Sequence, residues 1–477
     1  MSGFLDRIKQ LLKSDDKPPV AESPYADFNK LRLPSDRGQL CNAPFRSIRF
    51  EQRGVARTCC FNRQVVLGRY PQQSLSEIWN SDEANSIRQR IKDNDLSYGC
   101  QLCAKQLDRG EFETVKLRQY DGLKFNENGY PSMLDFSIHN TCNLECVMCH
   151  GEFSSSIRKN REKLPEIPLV YDKEFVAQLE EFIPHAQQFV FAGGEPFLIE
   201  LYYDIWEAIN RLNPTNVHIV TNGTILNNRV KSILENGKYH ITHSIESLDK
   251  TNYEMIRKNA GLDRVLENMQ YFMEYCKKQG TEYAINLCPI QQNWKEVPGF
   301  VSFCNEKKIR IYILSVVYPP TASLMSMPSE KLEEIEAFYS TFSFPESSET
   351  EKHNASNFKD LLSRVKGWRT LAVNKETRGV SAADSVAESD RVDIQKVFDL
   401  ISSNIQEYGN ENSEISEEII SATLAKLNKL GQNYKGQKVT KGKLMEIESL
   451  AGDVMIGAIN GSTEKEFDLV VRDYFLD

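Results

Sequence analysis

The segment His139-Asn140-Thr141-Cys142-Asn143-Leu144-Glu145-Cys146-Val147-Met148-Cys149-His150 gathers three cysteines in a C-x3-C-x2-C array. Thiolates held this close suit iron-sulfur clusters or zinc far better than they suit a packed core. A closed structural site takes four ligands, so three protein thiolates leave one iron of a four-iron cluster with an open position for a substrate or cofactor. A zinc knuckle completed by His139 or His150 is the alternative use of the same segment. Just upstream, Met133-Leu134-Asp135-Phe136-Ser137-Ile138 alternates as a strand does. The cysteine loop then follows a strand's C-terminal end, where barrel enzymes carry their chemistry.

A second strand, residues 188–192, runs into Gly193-Gly194-Glu195-Pro196. Paired glycines let a backbone approach a ligand closely, and a carboxylate there could bind an ammonium. A third, 217–220, ends in Thr221-Asn222-Gly223-Thr224, and a fourth, 240–246, carries Ser244 and Glu246 and is followed by Arg257. A fifth, 283–287, sets Asn286 and Cys288 near the same mouth, with Cys288 readable as a buried inert thiol or a pocket wall. The last is 309–315. Amphipathic helices separate these strands; in 262–279, Val265, Leu266, Met269, Phe272 and Met273 make a core stripe. Strand-helix alternation marks an α/β fold with a parallel sheet. Six such strands make an open, partial (β/α)6 TIM-like barrel whose lateral gap admits a large substrate.

Upstream lies a second cysteine set. Residues 47–50, a turn at Gly54 and residues 55–60 read as a hairpin that carries Cys41 and Cys59 to its two ends, with Cys60 a rival to Cys59. Ser74 and Ser81 can cap short helices at 75–79 and near 87–91. Cys100-Gln101-Leu102-Cys103 closes the set. A pair of cysteines plus a distant C-x2-C is also how a zinc ribbon is built.

The ordered set of cysteine loop, Gly-Gly-Glu-Pro, Thr-Asn-Gly and the Ser244 to Arg257 spacing resembles the radical S-adenosylmethionine (SAM) enzymes. The resemblance implies that Cys142, Cys146 and Cys149 ligate a [4Fe-4S] cluster whose open iron takes the amino and carboxylate groups of SAM. An electron from that cluster then cleaves SAM to methionine and a 5′-deoxyadenosyl radical. It further implies that Gly193, Gly194 and Glu195 meet the SAM amino group. In relatives such as molybdenum-cofactor biosynthesis protein A, a serine and an acid end the fourth strand and an arginine follows. By that correspondence Ser244 and Arg257 hold the SAM carboxylate and Glu246 the ribose, although the usual acid is aspartate. Asn286 resembles an asparagine found near SAM.

Cys41, Gly54, Cys59, the Ser-Leu-Ser-Glu-Ile-Trp-Asn run and the C-x2-C resemble the start of SPASM and twitch auxiliary-cluster domains. Here the segment precedes the core instead of following it, and the further cysteines of a two-cluster SPASM domain are missing. One auxiliary cluster on Cys41, Cys59, Cys100 and Cys103 is the expectation. The implied partners are a peptide or small-molecule substrate and an external electron donor such as flavodoxin or ferredoxin.

At 477 residues the chain is long enough for two or three domains, and 40% hydrophobic with 26% charged residues is a globular composition. We divide it into an N-terminal helix and linker (1–35), an auxiliary-cluster domain (36–130), the barrel core (131–320) and a helical C-terminal region (321–477). A formal net charge of −9 argues against a nucleic-acid surface. No apolar run reaches membrane-spanning length, and the amphipathic segment 4–12 is no signal peptide. Eleven cysteines, clustered and odd in number, fit metal ligation in a reducing cytoplasm. In the last region, 344–351 and 374–390 read as polar connectors. Ile394, Val397, Phe398, Ile401 and Ile405 form one helical stripe, and Ile419, Ile420, Leu424, Leu427 and Leu430 a second that Gly431 closes. Thr463 with Glu466 makes a capping box. These helices would cover the barrel's gap or join two copies.

A non-catalytic iron-sulfur or zinc scaffold that passes electrons is the competing function. It predicts no SAM binding and tolerance of changes at Glu195. A zinc hydrolase is remote, because no two of the seven histidines form a His-x-x-x-His pair.

Overall fold

The computed structural model describes residues 25–112, 115–381, 391–411, 417–433 and 438–440. The chain first lays down an antiparallel ribbon of β1 (Ser47–Glu51), β2 (Val55–Arg57) and β3 (Gly68–Arg69). Six parallel strands follow: β4 (Met133–Ser137), β5 (Gln188–Phe191), β6 (Val217–Thr221), β7 (Tyr239–Ser244), β8 (Tyr283–Leu287) and β9 (Arg310–Ile313). All nine form one sheet in the order β3-β2-β1-β4-β5-β6-β7-β8-β9. The six parallel strands are the expected open partial barrel.

Period-two alternation decides which side faces the helices. Phe50, Phe136 and Phe191 stack across three neighbouring strands at 5.6 and 4.7 Å, and Phe175 of the helix Lys173–Phe182 meets Phe50 edge-on at 5.1 Å. Ile219, Ile241, Ile285 and Ile311 continue this buried face. The intervening residues His218, Val220, His240, Thr242, Ser244, Asn286, Arg310 and Tyr312 line the inner side and stay half-buried.

The sheet runs across the expected boundary near residue 130. β1 pairs in parallel with β4 from Ser47↔Met133 to Glu51↔Ser137, and Arg49 bridges to Asp135 at 2.7 Å. One apolar core then runs from Phe28 to Val365. Parallel pairing leaves no local signature, because its partners meet only after a long crossover. Within the ribbon, Gly54 (φ 75°) turns the chain where a Cβ would sit 1.8 Å from the Tyr70 carbonyl oxygen. β2 stops at Arg57, so Cys59 and Cys60 lie in the loop beyond it.

The two connectors expected in the C-terminal region are corrected over part of their length: 344–348 are non-helical, 349–351 and 374–381 are helical, and 382–390 lie outside the described residues. A helix, Glu349–Ser381, begins inside the first and continues through Asn374 into the second. Its buried side chains Ala355, Phe358, Leu361 and Val365 are sparse among charged residues, so its solvent face reads as a connector. This helix covers the exposed edge of the sheet. Asn354 accepts from Ile311 N at 2.9 Å and donates to Ile309 O at 2.9 Å and Asn305 Oδ1 at 2.8 Å, while Arg364 donates to Ile313 O at 2.9 Å. Helices Ile394–Glu411 and Glu417–Asn433 pack together, the second running past Gly431. A mid-helix glycine costs only about 1 kcal/mol. A ladder of β10 (Arg391–Asp393) with β11 (Lys438–Thr440), absent from the sequence reading, lies beside them in the chain. The segment 4–12 and the Thr463 to Glu466 box lie outside the described residues. No helix among the described residues is long and apolar enough to cross a membrane.

Asn354→Ala strips a fully buried partner from three polar groups of the β9 edge and its neighbour. The expected outcome is a loss of about 2–3 kcal/mol in unfolding free energy, read as a lower urea midpoint at unchanged slope.

Candidate cluster and cofactor sites

The cysteine loop leaves β4 and is held from three sides. Gly194 N donates to His139 O at 3.0 Å and Glu195 N to Thr141 O at 2.7 Å. A Cβ on Gly194 would lie 2.2 Å from Thr141 O, so only glycine allows this approach. On the second side Cys142 N donates to Ser155 Oγ at 3.1 Å, and Ser154, the N-cap of the helix Ser155–Asn160, donates to Leu144 O at 2.6 Å. On the third, Glu145 N donates to Lys258 O at 3.1 Å and Val147 N to Ile256 O at 2.9 Å. Asn143 then ties in the Thr-Asn-Gly segment: its Nδ2 donates to Thr224 Oγ1 at 2.9 Å and its Oδ1 accepts from Asn222 Nδ2 at 3.1 Å. Asn222 Nδ2 also stands 3.9 Å from Cys142 Sγ. Four segments separate in sequence are one bonded assembly.

Cys142 and Cys149 are half-buried and Cys146 is buried. Burial pushes the Cys146 thiol up to about 12 and Cys149 higher still, where neighbouring thiolates add to the rise. Left alone such thiols stay protonated; a bound cation is what ionises them. Among the described residues no three His, Cys, Asp or Glu side chains are grouped around a single-ion site. A four-iron cluster does not need that grouping, since each thiolate goes to a different iron. His139 is committed elsewhere, with Nδ1 2.5 Å from Thr141 Oγ1 and Nε2 2.8 Å from Ile167 O. The knuckle reading loses that ligand.

The Glu195 carboxylate points inward, contrary to the expectation that it lies free for an ammonium. It is fully buried and accepts from Thr221 Oγ1 at 2.7 Å, Asn222 N at 2.7 Å and Phe197 N at 3.2 Å, with burial pushing its pKa up to about 7. The Gly-Gly-Glu-Pro turn meets the cysteine loop through its backbone. Glu246 and Arg257 are likewise engaged, with each other: two guanidinium nitrogens meet the carboxylate, Nη2 at 2.9 Å from Oε1, in a buried pair. Arg257 Nη1 stands 3.9 Å from Cys146 Sγ. This is not the surface salt bridge that is the ordinary use of such residues, and neither side chain is free for SAM in this arrangement. Asn293 braces the pair by donating to Glu246 O at 2.8 Å. Ser244 and Asn286 sit opposite each other in register on the inner face of β7 and β8. Cys288 packs beside Ile256, Ile290 and Val316, its thiol pushed up to about 12 by burial.

Cys41, Cys59, Cys100 and Cys103 line one small pocket together with Asn62 and Tyr120. Cys60 is not among its lining residues; its thiol is raised to about 11 by burial and feels the charges of Arg49 and Asp135. Burial and the neighbouring Cys59 and Cys100 push Cys103 up to about 12, again a set that a cation would ionise. Asn62 is a residue the sequence did not single out. Its backbone N donates to Cys59 Sγ at 3.3 Å, and its Nδ2 reaches Tyr98 O at 3.0 Å and Cys100 Sγ at 3.5 Å. Gly99 makes room for it, since a Cβ there would lie 2.1 Å from Asn62 Oδ1. Asn62, Asn143, Asn222 and Asn293 share only one sequence signal, an asparagine close to a motif.

A family model described as the radical SAM superfamily matches residues 136–304, and one described as an iron-sulfur cluster-binding domain, SPASM, matches residues 41–104. Residues 136–304 are a radical SAM domain. That domain implies a [4Fe-4S] cluster and SAM, and the SPASM segment implies an auxiliary iron-sulfur cluster. Curated relatives include a probable GTP 3′,8-cyclase of Methanocella arvoryzae, 30% identical over 39% of this chain and 57% of that one. The GTP 3′,8-cyclase of Clostridium perfringens is 25% identical over 39% of this chain and 55% of its own. The chain thus spans little more than half the length of these relatives. Among solved structures, Streptococcus suis SuiB bound to S-adenosylmethionine matches at 19% identity and TM-score 0.34, covering 56% of this chain and 61% of that chain. Native anSMEcpe with bound AdoMet matches at 19% and 0.34, covering 44% and 59%.

Gly194→Ala forces the Gly-Gly-Glu-Pro turn away from the cysteine loop, and the radical SAM domain should then lose roughly half of the protein's total iron, counted after reconstitution. Glu145 supplies a pH test of the loop's third anchor. Hydrogen bonds from Lys258 first, then Asn160 and Asn259, lower its pKa to about 2. A depressed carboxylate contributes stability that is fully present above its unfolded pKa of about 4.3 and is lost as pH falls through the folded value. The stability gap between wild type and Glu145→Gln should be constant from pH 7 to 5 and close toward pH 2, as followed by urea unfolding.

Proposed function

We propose that this radical SAM enzyme cleaves SAM reductively and takes a hydrogen atom from a peptide or small-metabolite substrate, with an auxiliary cluster assisting oxidation or substrate binding. The observation that carries the reading is the assembly in which the loop bearing Cys142, Cys146 and Cys149, the turn at Gly194-Glu195 and Thr221–Thr224 are hydrogen-bonded to one another at the C-terminal ends of three adjacent strands. When bound, the cluster would supply the electron for the reductive cleavage of SAM.

Everything else falls to this chain's residues. Cys142, Cys146 and Cys149 hold the catalytic cluster and leave one iron open. The backbone at Gly193, Gly194 and Glu195 offers groups for the SAM ammonium, while the Glu195 side chain keeps that turn fastened to Thr221 and Asn222. Ser244 and Asn286, half-buried on the inner face, are placed to meet the carboxylate and the adenosine. Glu246 and Arg257 would have to part to take the roles their spacing implies; paired, they set a positive charge beside Cys146. Cys41, Cys59, Cys100 and Cys103 hold the auxiliary cluster, braced by Asn62. The residue ranges 36–130 and 131–320 serve as two cofactor-bearing parts of a single sheet. The inner wall of half-buried polar residues suits a polar substrate. Several relatives are named GTP 3′,8-cyclases, which makes GTP the first small metabolite to offer.

The deciding experiment is anaerobic reconstitution of the wild type and of a Cys142→Ala/Cys146→Ala/Cys149→Ala variant, with iron and sulfide counted and 5′-deoxyadenosine assayed after SAM and dithionite. The expected result is about eight irons falling to about four, with nucleoside formed by the wild type alone. A wild type that binds iron yet never cleaves SAM would return the scaffold reading to first place.

A further inference from the structure

The protein as a whole is acidic, with a net charge of −9, yet the surface that flanks the catalytic cysteine loop is basic. The stretch Arg158-Lys159-Asn160-Arg161-Glu162-Lys163 carries four cations and one acid. Arg158 and Glu162 are buried, which leaves Lys159 and Lys163 exposed and Arg161 half-exposed. Lys258 is exposed on the opposite side of the loop, and its charge is paired with Glu145. These residues are brought together by the loop itself. Asn160 Nδ2 and Lys258 Nζ meet the same Glu145 carboxylate, at 2.9 and 2.8 Å, and Arg161 Nη2 donates to Cys149 O at 2.5 Å. The nearby exposed acid in sequence is Glu166, and the Glu145 charge is already matched by Lys258. This surface therefore touches the cysteine loop at Glu145 and at the backbone of Cys149, one of the cluster cysteines.

We infer that this rim, formed by Lys159, Arg161 and Lys163, is the docking surface for the enzyme's electron donor, a small acidic protein that carries one electron. The inference rests on the radical SAM reading above, because that chemistry needs an electron from outside. The transfer is one electron from the donor's reduced cofactor to the cluster on Cys142, Cys146 and Cys149, with no bond made or broken and no proton moved. A positive rim on a negative protein steers an acidic partner to this one face and sets its orientation. Donor docked here stands against the loop that holds the cluster. Rim charges of this kind act on association rate and give it a steep salt dependence.

The test uses the reconstituted holoenzyme and follows cluster reduction optically in a stopped-flow instrument, with reduced flavodoxin as the acidic protein donor and dithionite as the small one. Lys159→Glu/Lys163→Glu reverses two exposed charges that make no contact with the cysteines. Lys277→Glu/Lys278→Glu makes the same change in net charge at the end of the helix Leu262–Gln279, which leads into the N-terminal end of β8, away from the cysteine loop. The expected result is a fall of roughly tenfold with flavodoxin at low salt for the rim variant alone. That deficit should fade as salt rises, and dithionite should reduce all three proteins equally. A rim variant that keeps the wild-type rate, or a distal variant that falls as far, overturns the inference while leaving the enzyme reading intact. A wild type with no reducible cluster overturns both.

Discussion

The close approach of two backbones, Gly193-Gly194 against His139 to Thr141, is the constraint on which the rest of the site depends. The hydrogen bonds Gly194 N to His139 O and Glu195 N to Thr141 O form only if no Cβ stands between the loops, and a Cβ on Gly194 would be 2.2 Å from an oxygen. Once they form, the ends of β4 and β5 are joined. Glu195 carries the joint on to β6 through Thr221 and Asn222, and Asn222 returns to the cysteine loop through Asn143. Each contact is worth little by itself. Together they give a loop of exposed-type sequence a fixed shape, which cluster ligands require.

Charge is handled by burial and pairing in the same region. The seven cysteines of the two sets are crowded thiols, and those with a resolved shift are raised by desolvation. Both sites therefore prefer a cation to empty space. An arginine held by carboxylates lies beside each set: Arg257 with Glu246 near Cys146, and Arg49 with Asp135 and Glu51 near Cys60, the chain neighbour of the second set's Cys59. Breaking either buried pair would strand a charge, which costs far more than the pair itself contributes.

The Arg49 to Asp135 bridge is also where the two cysteine-bearing parts of the chain meet. It spans β1 and β4, adjacent in the sheet and 86 residues apart in the chain. A domain joined by a linker could vary its distance from the barrel; a strand added in register to the barrel's edge cannot. The second cysteine set is thus held at one fixed separation from the first. At the opposite edge, the helix Glu349–Ser381 performs the matching task of satisfying β9.

The sequence alone determined the six barrel strands, the order of the motifs at their ends and the identity of the clustered cysteines, because all of these are written in local period, glycine placement and spacing. The helix Leu262–Gln279 and strand Tyr283–Leu287 follow their expected bounds for the same reason. Tertiary structure alone decided that β1 extends the barrel, that Cys59 and not Cys60 faces the four-cysteine cavity, and that Glu195 turns inward. It also decided that Glu246 and Arg257 hold each other, and that the helix covering the sheet edge starts at Glu349, inside the expected connector. These outcomes depend on partners dozens of residues away, and on which of several polar groups desolvation forces to pair. A one-dimensional pattern shows that a side chain can bond; only the folded neighbourhood selects its partner.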